Sequence, residues 1–263
     1  MDVVIVPDEA AGARVVADMI QETLTAPREG RPVLGLATGS SPVAAYRELV
    51  RRHREEGLSF AGARVFMLDE YIGLPPGHEQ SYHRFIRENL TSHVDIDDAM
   101  VQSPRGVSKD PAAEARRYDL SIAAAGGVDL QLLGIGANGH IAFNEPGSSL
   151  ASRTHPVWLT ERTIHDNARF FESEDDVPVQ ALTQGLETIR EARRIVLTAT
   201  GEHKAEAIAA MAEGPVSARC PASCLQLHPD VTVVVDEAAA SRLELADYYR
   251  YQRRMSEKAR SEK

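Results

Sequence analysis

The run LLGIGANGHIAFNEPG, residues 132–147, opens as an apolar strand and closes with Asn138, His140 and Glu145 inside eight positions. A carboxylate that hydrogen-bonds an imidazole fixes its tautomer and raises its basicity, which makes a proton shuttle near neutral pH. The competing reading is a histidine that only caps a sheet edge. Gly134, Gly136 and Gly139 suit a tight turn where backbone approaches a ligand. They satisfy G-x-G-x-x-G formally. That fingerprint belongs at the first strand–helix turn, however, whereas this run lies mid-chain and continues at once into HIAFNEP.

Three other stretches carry residues suited to the same kind of chemistry. FMLDEYIGLP ends an apolar run with Asp69 and Glu70. A carboxylate there is partly desolvated, which raises its pKa and suits it to take protons. A turn cap is the plain alternative, and no histidine or third acid lies nearby at metal-ligand spacing. LATGSSP places Thr38, Gly39, Ser40 and Ser41 just before a helix that Pro42 can start. Backbone freedom, two hydroxyls and a helix N-terminus together favour an anion such as phosphate, although the same residues would also cap an ordinary tight turn. No Gly-Lys-Ser/Thr follows, so this is not a P-loop. Lys204 follows a strand and is placed to reach a phosphate held by Ser40, and Arg169 sits in NARFF. For both cations a solvated surface is the default. Cys220, Cys224 and His228 are spaced like a partial metal site, but a second ligand pair is missing and SCLQLHP reads as a short apolar strand. No metal is expected.

These residues need a scaffold that brings distant strand ends together. Short β-branched runs alternate with helical patterns along the chain. VVIV (residues 3–6), PVLGLATG, ARVFMLDEY, VDLQLLGIG, RRIVLTATG and VTVVVDE read as strands. EAAGARVVADMIQETL, PVAAYRELVRRHREEG, SYHRFIRENLTSHV, DPAAEARRYDLSIAAAGG and EHKAEAIAAMAEG read as helices. The alternation predicts an α/β fold: a single domain with an open, mostly parallel sheet and helices on both faces, Rossmann-like. The domain is expected to span residues 1–248, with a charged tail at 249–263 as a frayed helix or disordered segment. In such sheets ligands bind outside the carboxyl ends of the strands, where all the candidate residues lie.

The chain has 263 residues, 43% of them hydrophobic and 26% charged, with a formal net charge of −10. A chain of this length buries roughly 70% or more of its unfolded surface, so neither disulfide nor metal is required to fold it. Net acidity argues against a general nucleic-acid partner. No run approaches the roughly 20 apolar residues of a membrane span. The start of the chain reads as neither a signal nor a transit peptide, and the two cysteines fit a reducing compartment, so a cytoplasmic protein is expected.

LGLATGSSP, FMLDEYIGLP with SYHRF, GIGANGHIAFNEPGSSLASRT, ARFF, VPVQALTQGLETI and SCLQLHP occur in one order over roughly Val33 to Asp236. Together they resemble the glucosamine-6-phosphate deaminase (isomerase) family. The related 6-phosphogluconolactonases share the sheet and the glycine turn but usually continue with Ser-Leu-Phe-Pro rather than Phe-Asn-Glu-Pro. The resemblance implies cofactor-independent conversion of glucosamine 6-phosphate and water to fructose 6-phosphate and ammonia. It casts Asp69 as the acid/base between C2 and C1, His140 as the group that opens the pyranose ring and Glu145 as its partner. Asn138 stands where some members carry Asp, which leaves it an orienting role. Thr38, Gly39, Ser40, Ser41, Arg169 and Lys204 match the sugar-phosphate contacts. Members range from monomers to hexamers, so a homo-oligomer is compatible with the resemblance. In allosteric members an Arg and a Lys shortly after SRT hold N-acetylglucosamine 6-phosphate. Here His155 and Val157 take those two positions, and an absent or weakened activator site is expected. The alternatives within reach are a sugar-phosphate lactonase and a non-catalytic sugar-phosphate sensor. The segment from Ser148 to Asp176 is expected to serve as a lid.

Overall fold

The computed structural model describes residues 1–168 and 170–261. In chain order the elements are β1 (Asp2–Val6), α1 (Glu9–Thr25), β2 (Val33–Leu36), α2 (Val43–Glu56), β3 (Arg64–Met67), β4 (Asp69–Tyr71), α3 (Tyr82–Asn89) and β5 (Val101–Gln102). They continue as α4 (Pro111–Ala124), β6 (Leu130–Leu133), β7 (His155–Trp158), α5 (Glu161–Ala168), β8 (Gln180–Thr183), α6 (Leu186–Arg190), β9 (Arg194–Ala199), α7 (Ala205–Ala212), β10 (Val231–Asp236) and α8 (Ala246–Ser261).

Seven strands form one sheet in the order β1-β10-β9-β6-β2-β3-β5, with every pairing parallel. All four residues of β2 and of β6 are buried, as expected of strands covered on both faces. Alternate residues go to opposite sides. Leu133, Leu197 and Val233 join one core, while Leu132, Val196 and Val234 join the other. The second core is closed by α1 and α2 through Val16, Ile20, Tyr46 and Leu49. Each such side chain contributes about 1.5–3 kcal/mol by leaving water. Local chemistry sets the helix ends. The Asp8 carboxylate accepts from Ala11 N at 2.7 Å at the start of α1, and Asp110 does the same for Ala113 N at 2.9 Å at the start of α4. The glycines after α4, Gly126 and Gly127, both take positive φ and end it, as expected of left-handed C-terminal caps.

The strand order reverses between β2 and β6, since the chain proceeds from β2 outward through β3 to β5 and then returns to β6 on the other side. A crevice at this point receives the loops after both strands.

Two sequence expectations change in detail. ARVFMLDEY is two strands, not one. β3 stays in the parallel sheet, and after Leu68 the chain enters a second, antiparallel sheet ordered β4-β8-β7. Leu68 still bonds the first sheet through Leu36 O while its own carbonyl accepts from Gln184 N at 2.7 Å, so it is the hinge between the two. SCLQLHP is not a strand; Pro221–Leu227 is a 3-10 helix whose Ala222, Cys224 and Leu225 are buried beside α7. Proline at its first turn has no N–H to give a ladder, which favours the helical turn. The charged tail, expected as a frayed helix or disordered segment, is helical over residues 249–261 as part of α8, which starts at Ala246 and buries Tyr249 in the core.

Candidate active site

A cavity of about 530 Å³ opens at the crevice. Thr38, Gly39, Ser40, Ser41, Asp69, His140 and Lys204 all line it, so four separated strand ends meet there as the sequence required.

The turn after β2 forms one wall. Gly39 has φ +89°, and a Cβ at this position would meet nothing within 4 Å, so its left-handed backbone, not space, demands glycine. The helix α2 begins after Pro42 with no side chain capping its first N–H groups. The two serine hydroxyls therefore stand beside a helix end with positive partial charge, a setting for an anion. Opposite, the Lys204 ammonium donates to the Ile135 carbonyl at 2.7 Å, which holds it over the turn after β6. Arg169 lies outside the described residues.

Asp69 and Glu70 diverge. Asp69 faces the cavity, is 5% exposed and makes no side-chain hydrogen bond among the described residues. Burial, reinforced by the neighbouring Glu70 charge, pushes its carboxyl up to about 8. Glu70 points away from that cavity. It accepts from Tyr71 N at 2.9 Å, Tyr82 N at 3.0 Å and His83 N at 3.0 Å, so it caps the start of α3 together with Ser81. Burial also raises Glu70, against the opposing pull of those three N–H groups. Of the two acids, Asp69 is the one that faces the cavity lined by the other candidate residues.

The turn after β6 carries the histidine. A Cβ on Gly136 would lie 2.2 Å from His140 Cε1, so glycine is what leaves room for the ring. Asn144 donates to the carbonyls of Ile141 at 3.1 Å and Gln184 at 2.8 Å, pinning the turn to the end of β8. Ala142, between them, takes φ +51°, an uncommon conformation for a residue with a side chain. Nδ1 of His140 donates to the Asn138 amide oxygen at 2.7 Å, and the Asn138 amide nitrogen donates to Glu145 Oε2 at 2.7 Å. His140 Nδ1 is 3.6 Å from Glu145. With its proton on Nδ1, the neutral ring keeps Nε2 as the nitrogen able to act on a substrate. Burial acts to raise Glu145, but contacts with His140, the Thr163 hydroxyl and the Asn138 amide outweigh it and hold the carboxyl at about 2.

Several lining residues were not singled out from sequence. Thr163 on α5 donates its hydroxyl to Glu145 Oε1, and Asn167 donates to the Tyr71 hydroxyl at 2.9 Å. Both line the cavity, as do Tyr82 and Phe143, whose rings stack at 5.9 Å with an interplanar angle of 11°. The spacing of four between Thr163 and Asn167 signals one helix face. It does not say which turn that face meets. The segment from Ser148 to Asp176 contains β7 and α5, and α5 lies over the cavity through these two contacts. Cys224 is buried, while the His228 ring bonds Ala192 O at 2.7 Å and Asp230 N at 3.1 Å. Among the described residues no group of His, Cys, Asp or Glu is placed to hold a metal ion, and no helix is long and apolar enough to cross a membrane.

Residues 7–234 match the family described as glucosamine-6-phosphate isomerases/6-phosphogluconolactonase. The chain is 60% identical over 251 residues to a glucosamine-6-phosphate deaminase of Rhodococcus jostii, covering 95% of this chain and 96% of that one. It is 62% identical over 216 residues to one from Corynebacterium aurimucosum, covering 82% and 85%. A solved monomeric glucosamine-6-phosphate deaminase superposes with a TM-score of 0.89 at 43% identity, covering 92% of this chain and 100% of that one. A 6-phosphogluconolactonase from Trypanosoma cruzi shares the fold, with a TM-score of 0.71 at 23% identity over 92% and 97%.

Proposed function

This chain belongs to the glucosamine-6-phosphate isomerase/6-phosphogluconolactonase family, and we propose that it is a deaminating enzyme acting on glucosamine 6-phosphate. The products are fructose 6-phosphate and ammonia. The observation that carries this reading is the juxtaposition in one cavity of a buried, unbonded carboxyl and a tautomer-fixed imidazole beside an anion-holding turn. The high identity to deaminases over nearly the whole chain supports it, and the lactonase likeness extends to the fold alone. The expected compartment is the cytoplasm.

The substrate's phosphate sits on Thr38–Ser41 with Lys204 opposite, and Arg169 is proposed as a further contact. His140 Nε2 takes the proton of the anomeric hydroxyl and returns it to the ring oxygen, which opens the pyranose to an aldehyde. Asn138 and Glu145 hold the ring and stabilise the imidazolium formed in between. Asp69 then removes the proton from C2, giving a cis-enolamine, and delivers it to C1. The resulting C2 iminium adds water and expels ammonia. Electrons move only within the substrate, so the residues named carry the whole sequence. Closure of α5 over the cavity, as a lid, is part of the proposal.

The test is ammonia release from glucosamine 6-phosphate by purified protein, beside hydrolysis of 6-phosphogluconolactone. Ammonia with fructose 6-phosphate in equal amounts is expected. Lactone hydrolysis without ammonia would overturn the reading.

A further inference from the structure

A second cavity of about 450 Å³ lies behind β4, beyond the end of β5. Strand alternation sends Asp69 into the first cavity and Glu70 into this one. His83, Gln102, Ser103 and Arg105 all line it, and none of the four makes a side-chain hydrogen bond among the described residues. The Ser103 hydroxyl oxygen is fully buried without a partner. A buried polar atom is ordinarily satisfied, so the idle Ser103 hydroxyl in the wall of this void points to a missing occupant.

The charge of the walls indicates its chemistry. Arg105 is exposed at the mouth, on a loop fixed by its own N–H to Glu114 at 2.9 Å. Arg117 is held by Glu114 at 2.7 Å through Nε and by Ser121 at 3.0 Å through one terminal nitrogen. Its other terminal nitrogen also donates to Glu114, so two of the five guanidinium N–H donors remain for a ligand. Burial lowers the pKa of the His83 ring, which favours its neutral form. Of the described residues, Glu70 is the only carboxylate lining the cavity, and its oxygens already accept three N–H groups. Two guanidiniums, a hydroxyl and an amide suit a tetrahedral oxyanion. Leu74 and Val101 supply an apolar wall for a small body attached to it.

We propose that this rear cavity binds a small phosphate ester, with its phosphate on Arg105, Arg117 and Ser103 and its body toward Glu70. Occupancy is communicated to the substrate cavity, because the site shares β4 and α3 with it. A Cβ on Gly106 would stand 2.0 Å from the Tyr71 carbonyl, so the loop bearing Ser103 and Arg105 lies directly on the strand that carries Asp69. Binding does not depend on the reaction proposed above; the effect on turnover does.

The probes are glycerol phosphate and inorganic phosphate, titrated calorimetrically into the full chain. Two glycerol phosphate sites are expected in the parent, one after Arg105→Ala or Ser103→Ala, and one after Lys204→Ala. Loss of the Arg105 contacts is expected to weaken the rear site by about tenfold or more. A single site in the parent that survives Arg105→Ala and disappears with Lys204→Ala would overturn the proposal. Equal affinity for the two probes would overturn the ester assignment. At saturating substrate, where competition in the first cavity no longer matters, glycerol phosphate is expected to change kcat at least about twofold in the parent and not in Arg105→Ala. An unchanged kcat with the rear site filled would overturn the coupling. Two binding sites without any ammonia release would instead count against the reaction and leave the site standing.

Discussion

His140 Nδ1 lies 2.7 Å from the amide oxygen of Asn138, closer than the 3.6 Å that separates it from Glu145. The charge of Glu145 thus acts on the imidazole directly across 3.6 Å and also through an amide that accepts from the ring on one side and donates to the carboxylate on the other. An amide in that position cannot itself take a proton, so it fixes the ring's tautomer without competing for the proton being moved.

Asn138→Leu is expected to keep the fold and lower kcat/KM by about tenfold or more, a share of the roughly 10²–10⁴ that general acid–base catalysis contributes. Asn138→Asp puts a second carboxylate against Glu145. The pair then titrates jointly, and an acid limb should enter the kcat/KM profile at a pH where the parent shows none. A pH–rate series on the three proteins decides this, and identical profiles would contradict the relay.

Asp69 must be ionised to act as a base, and in the free protein its carboxyl titrates at about 8. The kcat/KM of the parent should therefore rise with pH toward that value. The same shift has a stability consequence. The folded state holds a proton that the unfolded chain releases near the ordinary carboxylate value of about 4, so stability falls between the two values as pH rises. Asp69→Asn removes that loss. Its Tm should exceed that of the parent by a margin that widens from about pH 4 to pH 8, at about 2–4 °C for each kcal/mol, while turnover is abolished. A constant Tm difference across the range would refute the assignment.

Gly136→Ala is compatible with the backbone, which is not left-handed there, but its methyl would displace the His140 ring. A shift on the order of 1 Å in a reacting group can cost about 10² in rate. The expected result is a loss of that size in kcat with a Tm close to the parent's. Near-normal kcat would show that the ring has room to spare.

Thr163→Val removes the hydroxyl that α5 offers to Glu145. One lost hydrogen bond is worth about 0.5–1.5 kcal/mol, somewhat more to a charged acceptor. Glu145 should then titrate higher, so both activity and stability are lost at a higher pH on acidification than in the parent. Thr163→Ser should restore the parent profile. A serine variant that behaves like the valine would show that the methyl, not the hydroxyl, matters.

His155 and Val157 sit on β7, where the His155 ring bonds Arg153 O at 2.7 Å and Val157 packs with Tyr71 and Phe143. Neither is the Arg or Lys that the activator site uses at these positions. Substrate-saturation curves with and without N-acetylglucosamine 6-phosphate should superpose; a strong leftward shift would show that an activator site survives.

The alternation of strands and helices and the clustering of chemistry at strand ends were legible from residues 3 to 236, because period and composition report burial directly. What was not legible depends on contacts made across the fold. Nothing in ARVFMLDEY marks Leu68 as the passage between two sheets, since an apolar residue serves equally in either. The Thr163 hydroxyl meets a carboxylate 18 residues earlier, and the distance along the chain carries no sign of it. SCLQLHP has the composition of a strand, but Pro221 just before it and the packing of Cys224 and Leu225 beside α7 decide otherwise.

The pleat of β4 has one more implication. Asp69 and Glu70 are consecutive, and the pairing of Asp69 with Thr183 decides which of them faces the first cavity. Deleting or inserting a single residue at the hinge would exchange them, turning a free proton carrier into a helix cap and the cap into the carrier, with the longer glutamate arm reaching the wrong depth. Evolutionary tinkering with this enzyme should therefore tolerate length changes on either flank of the second sheet far better than at Leu68, where the count of residues is itself part of the catalyst.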